Sequence, residues 1–286
     1  KVAVLIDARV REGILGPLHF QNAEGKIGFA DGKLTIFPLH FDAGAGRCTG
    51  QVEVDRLPDG SSLLKISGHL ENFDAAALQH ELFKRRGLIT GTLKGDFYLE
   101  GEPGSKFLKS SLGGFSLQIK DGVLRKFPFL SKVFSLLNVS QILTFNLPDM
   151  SQEGMPFNRL KGNFNLSKGI LSTDDLFVDS NAMNLSLVGD ADLAEQKLDL
   201  VLGVKPLRTV DKIVTRIPIA GWLLTGEEKA LITAHFAIKG KSDDPEVTPI
   251  PITSVSEKVR GIFKRVLGLP GKVVTDVEEL LQGGKK

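Results

Sequence analysis

Apolar and polar residues alternate along most of this chain, and part of the pattern is repeated. Residues 25–42, GKIGFADGKLTIFPLHFD, align without a gap with residues 162–179, GNFNLSKGILSTDDLFVD, and a third, slightly longer copy begins at Gly114. Alternation with a period of two predicts strands, and the Asp-Gly or Lys-Gly pair between them predicts a tight turn in which glycine supplies a positive φ. We therefore expect repeated hairpins that stack into one long sheet.

The same alternation extends beyond the repeats and defines one apolar face. It recurs at residues 51–55, 63–69, 91–100, 184–193, 198–204 and 232–238. Because successive side chains of a strand point to opposite faces, the apolar members share one face and their polar neighbours share the other. The predicted apolar face consists of Ile27, Phe29, Leu34, Ile36, Leu93, Phe97, Leu99, Phe115, Leu117, Ile119, Phe164, Leu166, Leu185, Leu187, Leu198, Leu200, Leu202, Phe236 and Ile238. The pattern predicts a mainly β, antiparallel protein.

Helical periodicity is confined to a few short segments. It is found at residues 73–86, 129–137, 209–216 and 254–269, and a final helix is expected at 272–282. Asn72 or Asp74 is a suitable N-cap for the first helix, and Gly87 is a suitable end. The second helix follows Pro128 and is apolar on nearly every side, so it is not expected to face water on any side.

The helix at 254–269 is amphipathic. It places an apolar stripe on one side and a basic surface on the other, formed by Lys258, Arg260, Lys264 and Arg265. A linker rich in proline precedes it at residues 243–251. The chain is therefore predicted to divide into a β domain at 1–252 and a helical tail at 253–286.

Composition excludes several classes of protein. A net charge of +2 over 286 residues is too close to balance for a nucleic-acid-binding protein. Cys48 is the single cysteine, which excludes an internal disulfide and a CxxC metal site, and it is predicted to be an inert core thiol. No apolar run approaches the roughly 20 residues of a membrane-spanning helix. The start at Lys1 rather than Met indicates a fragment or a processed form.

Motifs of catalysis and metal binding are missing from the sequence. The five histidines are His19, His40, His69, His80 and His235, and none has metal-ligand spacing to another candidate ligand. They are predicted to be solvated or hydrogen-bonded. The Asp174-Asp175 pair is predicted to belong to a turn. With no nucleophile elbow, P-loop or dinucleotide motif, the sequence predicts neither an enzyme nor a cofactor.

Four segments of the chain resemble a known family. They are residues 121–143, 153–193, 198–226 and 236–247, and their order and spacing also agree over about residues 90–265. These segments are similar to the C-terminal region of the AsmA-like proteins of diderm bacteria, the group that includes AsmA, TamB and YhdP. The first 70 residues fit this group only as further hairpin repeats.

The resemblance implies a fold, a place and a function. The fold is a long, curved, open, taco-like antiparallel sheet whose apolar face forms a continuous lipid-binding groove. The place is the periplasm, in a protein anchored to the inner membrane by an N-terminal segment missing from this chain. The function is bridge-like movement of phospholipid between the inner and outer membranes, with acyl chains as the partner. The family motifs contain no catalytic residues.

Several alternatives stay open at this stage. The apolar face could instead be a closed, dry core, and the protein could be an assembly factor for outer-membrane β-barrel proteins or a peripheral membrane-binding module. Phe129, Leu130, Val133 and Phe134 would plug or line the groove, or their helix would be ordinary core. The helix at 254–269 would lie on a membrane surface through its basic residues, or it would cap the end of the groove. The sequence makes no prediction about oligomeric state or headgroup preference.

Overall fold

The computed structural model describes residues 3–15, 17–83, 88–125, 127–139, 154–206 and 233–268. Its strands are β1 (Val4–Leu15), β2 (Leu18–Ala30), β3 (Lys33–Ala43), β4 (Gly46–Arg56), β5 (Ser62–Asp74), β6 (Thr92–Gly101), β7 (Leu112–Leu124), β8 (Met155–Ser167), β9 (Ile170–Asp179), β10 (Met183–Asp192), β11 (Lys197–Pro206), β12 (Ala234–Lys241) and β13 (Glu246–Ile250). They form one sheet of 13 strands in chain order. Every neighbouring pair is antiparallel, and the sheet stays open. The predicted mainly β, open antiparallel fold is confirmed.

Two of the three repeats form the predicted hairpins. The turn between β2 and β3 has φ values of 53° at Asp31 and 78° at Gly32, and the turn between β8 and β9 has 52° at Lys168 and 86° at Gly169. Two successive positive φ values are typical of the type I′ turn, whose twist matches that of the strands it joins. These pairs therefore set the hairpin register in both repeats.

The turn predicted at the third copy is wrong. Asp121 does have a positive φ, but Asp121-Gly122 lies inside β7, which continues to Leu124. Beyond this point β7 still pairs with β8, through Gly122 with Phe157 and Leu124 with Met155. The left-handed residue therefore makes an irregularity within a paired strand instead of reversing the chain.

The helices are few and short. They are α1 (Ala75–Phe83), α2 (Phe107–Ser110), α3 (Pro128–Val139) and α4 (Glu257–Gly268), with a 3-10 turn at Ile252–Ser254. Asp74 caps α1, because its Oδ1 accepts hydrogen bonds from the backbone N–H groups of Ala76 and Ala77 at 2.8 and 2.9 Å. The helices predicted at 209–216 and 272–282 lie outside the described residues. Among those described, no helix has the length and apolarity needed to cross a membrane.

The helices cover the sheet on both faces. We call the face that carries the predicted apolar residues the inner face and its opposite the outer face. Buried side chains of α1 and α3 belong to the same apolar cluster as the inner face. The stripe of α4 belongs to a separate cluster with Phe177 and Val188, which lie on the outer face of β9 and β10. Of the two alternatives for this helix, docking of its stripe onto the sheet agrees with the structure, but the helix does not cap the groove, because it packs on the opposite face.

Candidate functional site

The strand register brings the predicted apolar residues together on the inner face. Residues that pair across antiparallel strands project to the same face of the sheet. One row runs straight across the first six strands, pairing Ile6, Ile27, Ile36, Val52, Ile66 and Leu99 in succession. Other rows pair Phe97 with Phe115 and Phe164, and Leu187 with Leu202 and Phe236. Followed from strand to strand, the register places every residue of the predicted apolar face on this side.

Several inner-face residues were missing from the sequence-based set. They are Val52, Val54, Leu64 and Ile66 on β4 and β5, together with Leu39, Phe41, Cys48, Leu70, Leu160, Val178 and Val204. The alternation of β4 and β5 could have identified the first four. Leu39 and Phe41 were hidden because a register shift between Ile36 and Leu39 reverses the phase of β3.

The inner face differs in exposure between its two ends. On β1–β6 most of its apolar side chains are only half-buried, and the side chain of Phe29 is 50% exposed. On β10–β12 most of its side chains are buried, and Phe236 is 1% exposed. We call the inner face of β1–β6 the open part and that of β10–β12 the covered part. Water reaches the open part along most of its width.

Helix α3 lies on the inner face beside the last strand. Leu130, Val133, Phe134 and Leu137 are buried in the inner-face cluster. Phe129 is half-buried, and its ring centroid lies 5.6 Å from that of Phe127. The helix contacts β13. The residues predicted to plug or line the groove therefore lie in contact with the apolar cluster of the inner face, and their role in lipid binding stays a prediction.

At three positions glycine makes room for an aromatic ring from the neighbouring strand. Phe97 pairs with Gly68 across β5 and β6, and its ring extends over the neighbouring strand. A methyl group at Gly68 would lie 3.0 Å from Cζ of Phe97 and 2.8 Å from the carbonyl oxygen of Thr49. Phe20 and Phe157 overlie their partners Gly13 and Gly122 in the same way. The rings therefore lie across the sheet instead of standing up into the groove.

We expect Gly68→Ala to lower the free energy of unfolding by about 1–3 kcal/mol, because the added methyl group overpacks this contact. The double variant Gly68→Ala with Phe97→Leu should recover part of that loss, since the smaller side chain makes room. Urea denaturation of both variants measures the difference. Equal losses in the single and the double variant would contradict the ring contact as the cause.

The outer face of the first strands is polar and ion-paired. Lys33 Nζ lies 2.7 Å from Glu53 Oε2, and Lys65 Nζ lies 3.0 Å from Asp55 Oδ2. The hydrogen bond from Lys65 lowers the pKa of Asp55, and the bond to Glu53 raises the pKa of Lys33. This part of the sheet is therefore amphipathic, with charges on one side and an uncovered apolar surface on the other.

Helix α4 presents its basic residues to solvent. Lys258, Arg260, Lys264 and Arg265 are all exposed, and Lys258 Nζ lies 3.9 Å from Asp174 Oδ2 on β9. The apolar stripe of the helix is buried, with Ile262, Phe263 and Leu267 each below 5% exposure. Contact of the four basic residues with a membrane surface stays a prediction, and inserting the stripe would require the helix to leave the sheet.

The Asp174-Asp175 pair is part of strand β9, and the predicted turn is wrong. Asp175 accepts hydrogen bonds from the backbone N–H and the side-chain amide of Asn163, at 2.7 and 2.5 Å. The register between β8 and β9 shifts at this place. The carboxylate thus replaces ladder hydrogen bonds that the irregular pairing does not form.

Polar side chains are buried beneath α4. Ser186 and His235 flank Gly203 in one row across β10–β12, and the ring of His235 lies 5.3 Å from that of Phe263. Within the described part of the chain, Ser186 Oγ, His235 Nδ1 and Asn184 Oδ1 have no hydrogen-bond partner. Burial lowers the pKa of His235 to about 4. His235 is therefore not solvated, and its Nδ1 has no hydrogen-bond partner among the described residues, because α4 covers the polar face of the sheet at this place.

The buried His235 should make stability depend on pH. Its folded-state pKa of about 4 lies below the ordinary value of about 6.5 that it regains on unfolding. The unfolded chain therefore binds the proton more readily, and stability should fall by about 3 kcal/mol as the pH drops from about 6.5 to 4. Urea denaturation across this range measures it. A His235→Phe variant should lose this part of the pH dependence, and an unchanged slope in that variant would contradict the assignment.

The remaining candidates for reactive chemistry are inert or exposed. Burial raises the pKa of the Cys48 thiol to about 11, so it is protonated near neutral pH and a poor nucleophile. His69 is exposed, and its Nδ1 lies 2.8 Å from Asp96 Oδ1. Across the described ranges, no three His, Cys, Asp or Glu residues are grouped so that they could hold a metal ion.

Comparison with known proteins adds one finding. A family model described as YhdP protein matches residues 5–247. The matched span begins within β1 and ends within β13, so it contains nearly the whole sheet and excludes α4. No curated protein and no solved structure matches the chain.

Proposed function

The chain belongs to the YhdP family, within the AsmA/TamB/YhdP group, and on this premise we propose that it moves phospholipid along the inner face of its sheet. The predicted membership of the AsmA-like group is confirmed, and the family is a non-enzymatic lipid transport family. Movement would run between the inner and outer membranes, through the periplasm, in a protein anchored to the inner membrane. The acyl chains would be the groups that the protein binds, without a cofactor.

The observation that carries this proposal is the uncovered apolar surface of the open part. Apolar surface in contact with water costs about 25 cal/mol per Å², and a sheet normally buries such a face against a second layer. Among the residues that the structure describes, no second layer covers the rows of half-buried Ile, Val, Leu and Phe side chains on β1–β6 over most of their width. An acyl chain would supply it.

The chemistry of the contact also suits transport. Each methylene removed from water contributes about 0.8 kcal/mol, so two acyl chains offset a large hydration cost. The attraction is non-directional, and therefore a chain can pass from one apolar row to the next without breaking specific bonds. The charged outer face, with Lys33, Glu53, Asp55 and Lys65, would stay in water as the lipid moves.

The test is a photoreactive residue placed on either face of one strand. At Ile36, on the inner face, it should capture phospholipid when cells are irradiated. At Thr35, the next residue, it should not, because Thr35 pairs with Gly28 and Glu53 on the outer face. Mass spectrometry of the captured adduct identifies the lipid. Equal capture at both positions, or none at Ile36, would refute the proposal.

A further inference from the structure

A charged side chain fastens helix α3 across the groove face. Lys132 Nζ lies 2.5 Å from Asp244 Oδ1 and donates a hydrogen bond of 2.8 Å to the carbonyl oxygen of Pro245. Asp244 and Pro245 belong to the turn between β12 and β13, more than 110 residues farther along the chain. We call these contacts the strap. It holds α3 at the strand that ends the sheet.

Beneath and beside α3 the inner face continues without a break. The covered part contributes Leu185, Leu200, Leu202, Phe236 and Ile238 to a single apolar cluster. The same cluster includes Phe41, Leu70 and Phe97 of the strands that form the open part. The apolar path therefore passes from the open part into the covered part, and the buried side chains of α3 join the same cluster there.

Helix α3 is held by two kinds of contact, apolar packing and a surface ion pair. Leu130, Val133, Phe134 and Leu137 make apolar contacts, and an acyl chain can replace such contacts one for one, because they carry no directional requirement. The strap is ionic and lies at the surface, with the Lys132 and Asp244 side chains 42% and 83% exposed. Surface ion pairs are weak, so the strap is a fastening that can open while the sheet stays paired.

We propose that the covered part is a second stretch of acyl-binding surface, which α3 covers as a removable lid fastened by Lys132. This inference rests on the proposed function. Lipid that reaches the covered part displaces α3 and opens the strap, and lipid that leaves lets the helix return. The helix thus keeps the end of the path dry when no lipid is present.

The test compares two photoreactive reporters, one at Ile36 in the open part and one at Leu187, a half-buried residue of the covered part. The full-length chain is mixed with vesicles of phosphatidylethanolamine and phosphatidylglycerol and then irradiated. Lys132→Ala should raise lipid capture at Leu187 by up to about fivefold and leave capture at Ile36 unchanged. Lys33→Ala is the matched control, since Lys33 is 43% exposed and pairs with Glu53 on the outer face.

A locked variant sharpens the test. Lys132→Cys and Asp244→Cys, in a Cys48→Ala background, are joined by a short bis-maleimide, while Lys33→Cys and Glu53→Cys are joined as the control. Locking should reduce capture at Leu187 to background and leave capture at Ile36 intact. Equal capture at Leu187 in locked and unlocked protein, with strong capture at Ile36, would overturn the lid. If Lys33→Ala raised lipid capture at Leu187 as much as Lys132→Ala does, the proposed role of the strap would be overturned. Absence of capture at Ile36 in the parent protein would instead refute the proposed function itself.

Discussion

Ile36→Asp is expected to abolish phospholipid binding while the sheet stays folded. Ile36 lies on the inner face of β3 and is half-buried, so a carboxylate there remains in contact with water in the empty protein. An acyl chain that passed it would bury the charge without a partner, at a cost of roughly 2–7 kcal/mol or more. Native mass spectrometry of the purified variant counts the bound lipid, and thermal unfolding reports the fold.

Two controls separate this result from general destabilisation. Thr35→Asp puts the same charge one residue away on the outer face and should leave lipid binding unchanged. Leu202→Asp puts it on the covered part, where the side chain is 2% exposed, and should prevent stable folding because the buried charge has no partner. If Ile36→Asp unfolded the protein as readily as Leu202→Asp, the open part would be a closed core.

Phe236→Ala is expected to lower the free energy of unfolding by about 3–5 kcal/mol, the usual cost of removing a buried aromatic ring. The ring of Phe236 is fully enclosed on the inner face of β12, and its removal leaves a cavity. Phe29→Ala is the matched variant, with the same residue type on the same face but half in water, and it should cost about 1 kcal/mol or less. Urea denaturation of both variants gives the two values. Similar losses would contradict the division of the inner face into an open and a covered part.

Strand alternation was sufficient to predict much of the inner face, because the side-chain period of a strand is a local property of the backbone. It placed Phe97, Phe115 and Phe164 on one side without knowledge of their pairing, and the register joins them in one row. The turns at Asp31-Gly32 and Lys168-Gly169 were predictable for the same reason, since two residues determine their φ values. The local sequence is therefore enough to specify these two turns.

Prediction was wrong where the local signal has two structural outcomes. Asp121-Gly122 has the composition of a hairpin turn, yet β7 continues through it because β8 pairs with it on both sides. The shift between Ile36 and Leu39 likewise depends on how β4 meets β3. A left-handed residue allows either a turn or a bulge, and the neighbouring strand decides which one forms.

The sequence by itself determined that the tail helix would bury its stripe, but not the surface that receives it. Phe177, Val188 and Val201 lie on the polar phase of β9–β11, and only the assembled sheet brings them together into an apolar patch on the outer face. The difference between the open and covered parts is also tertiary. Ile36 and Leu202 both lie on the apolar phase of an alternating strand. Whether the side chain is buried depends on which strands a helix distant in the chain packs against. For α3 that position follows from the burial of Leu130, Val133, Phe134 and Leu137 in an apolar cluster, which strands far apart in the chain form together and which no local pattern encodes.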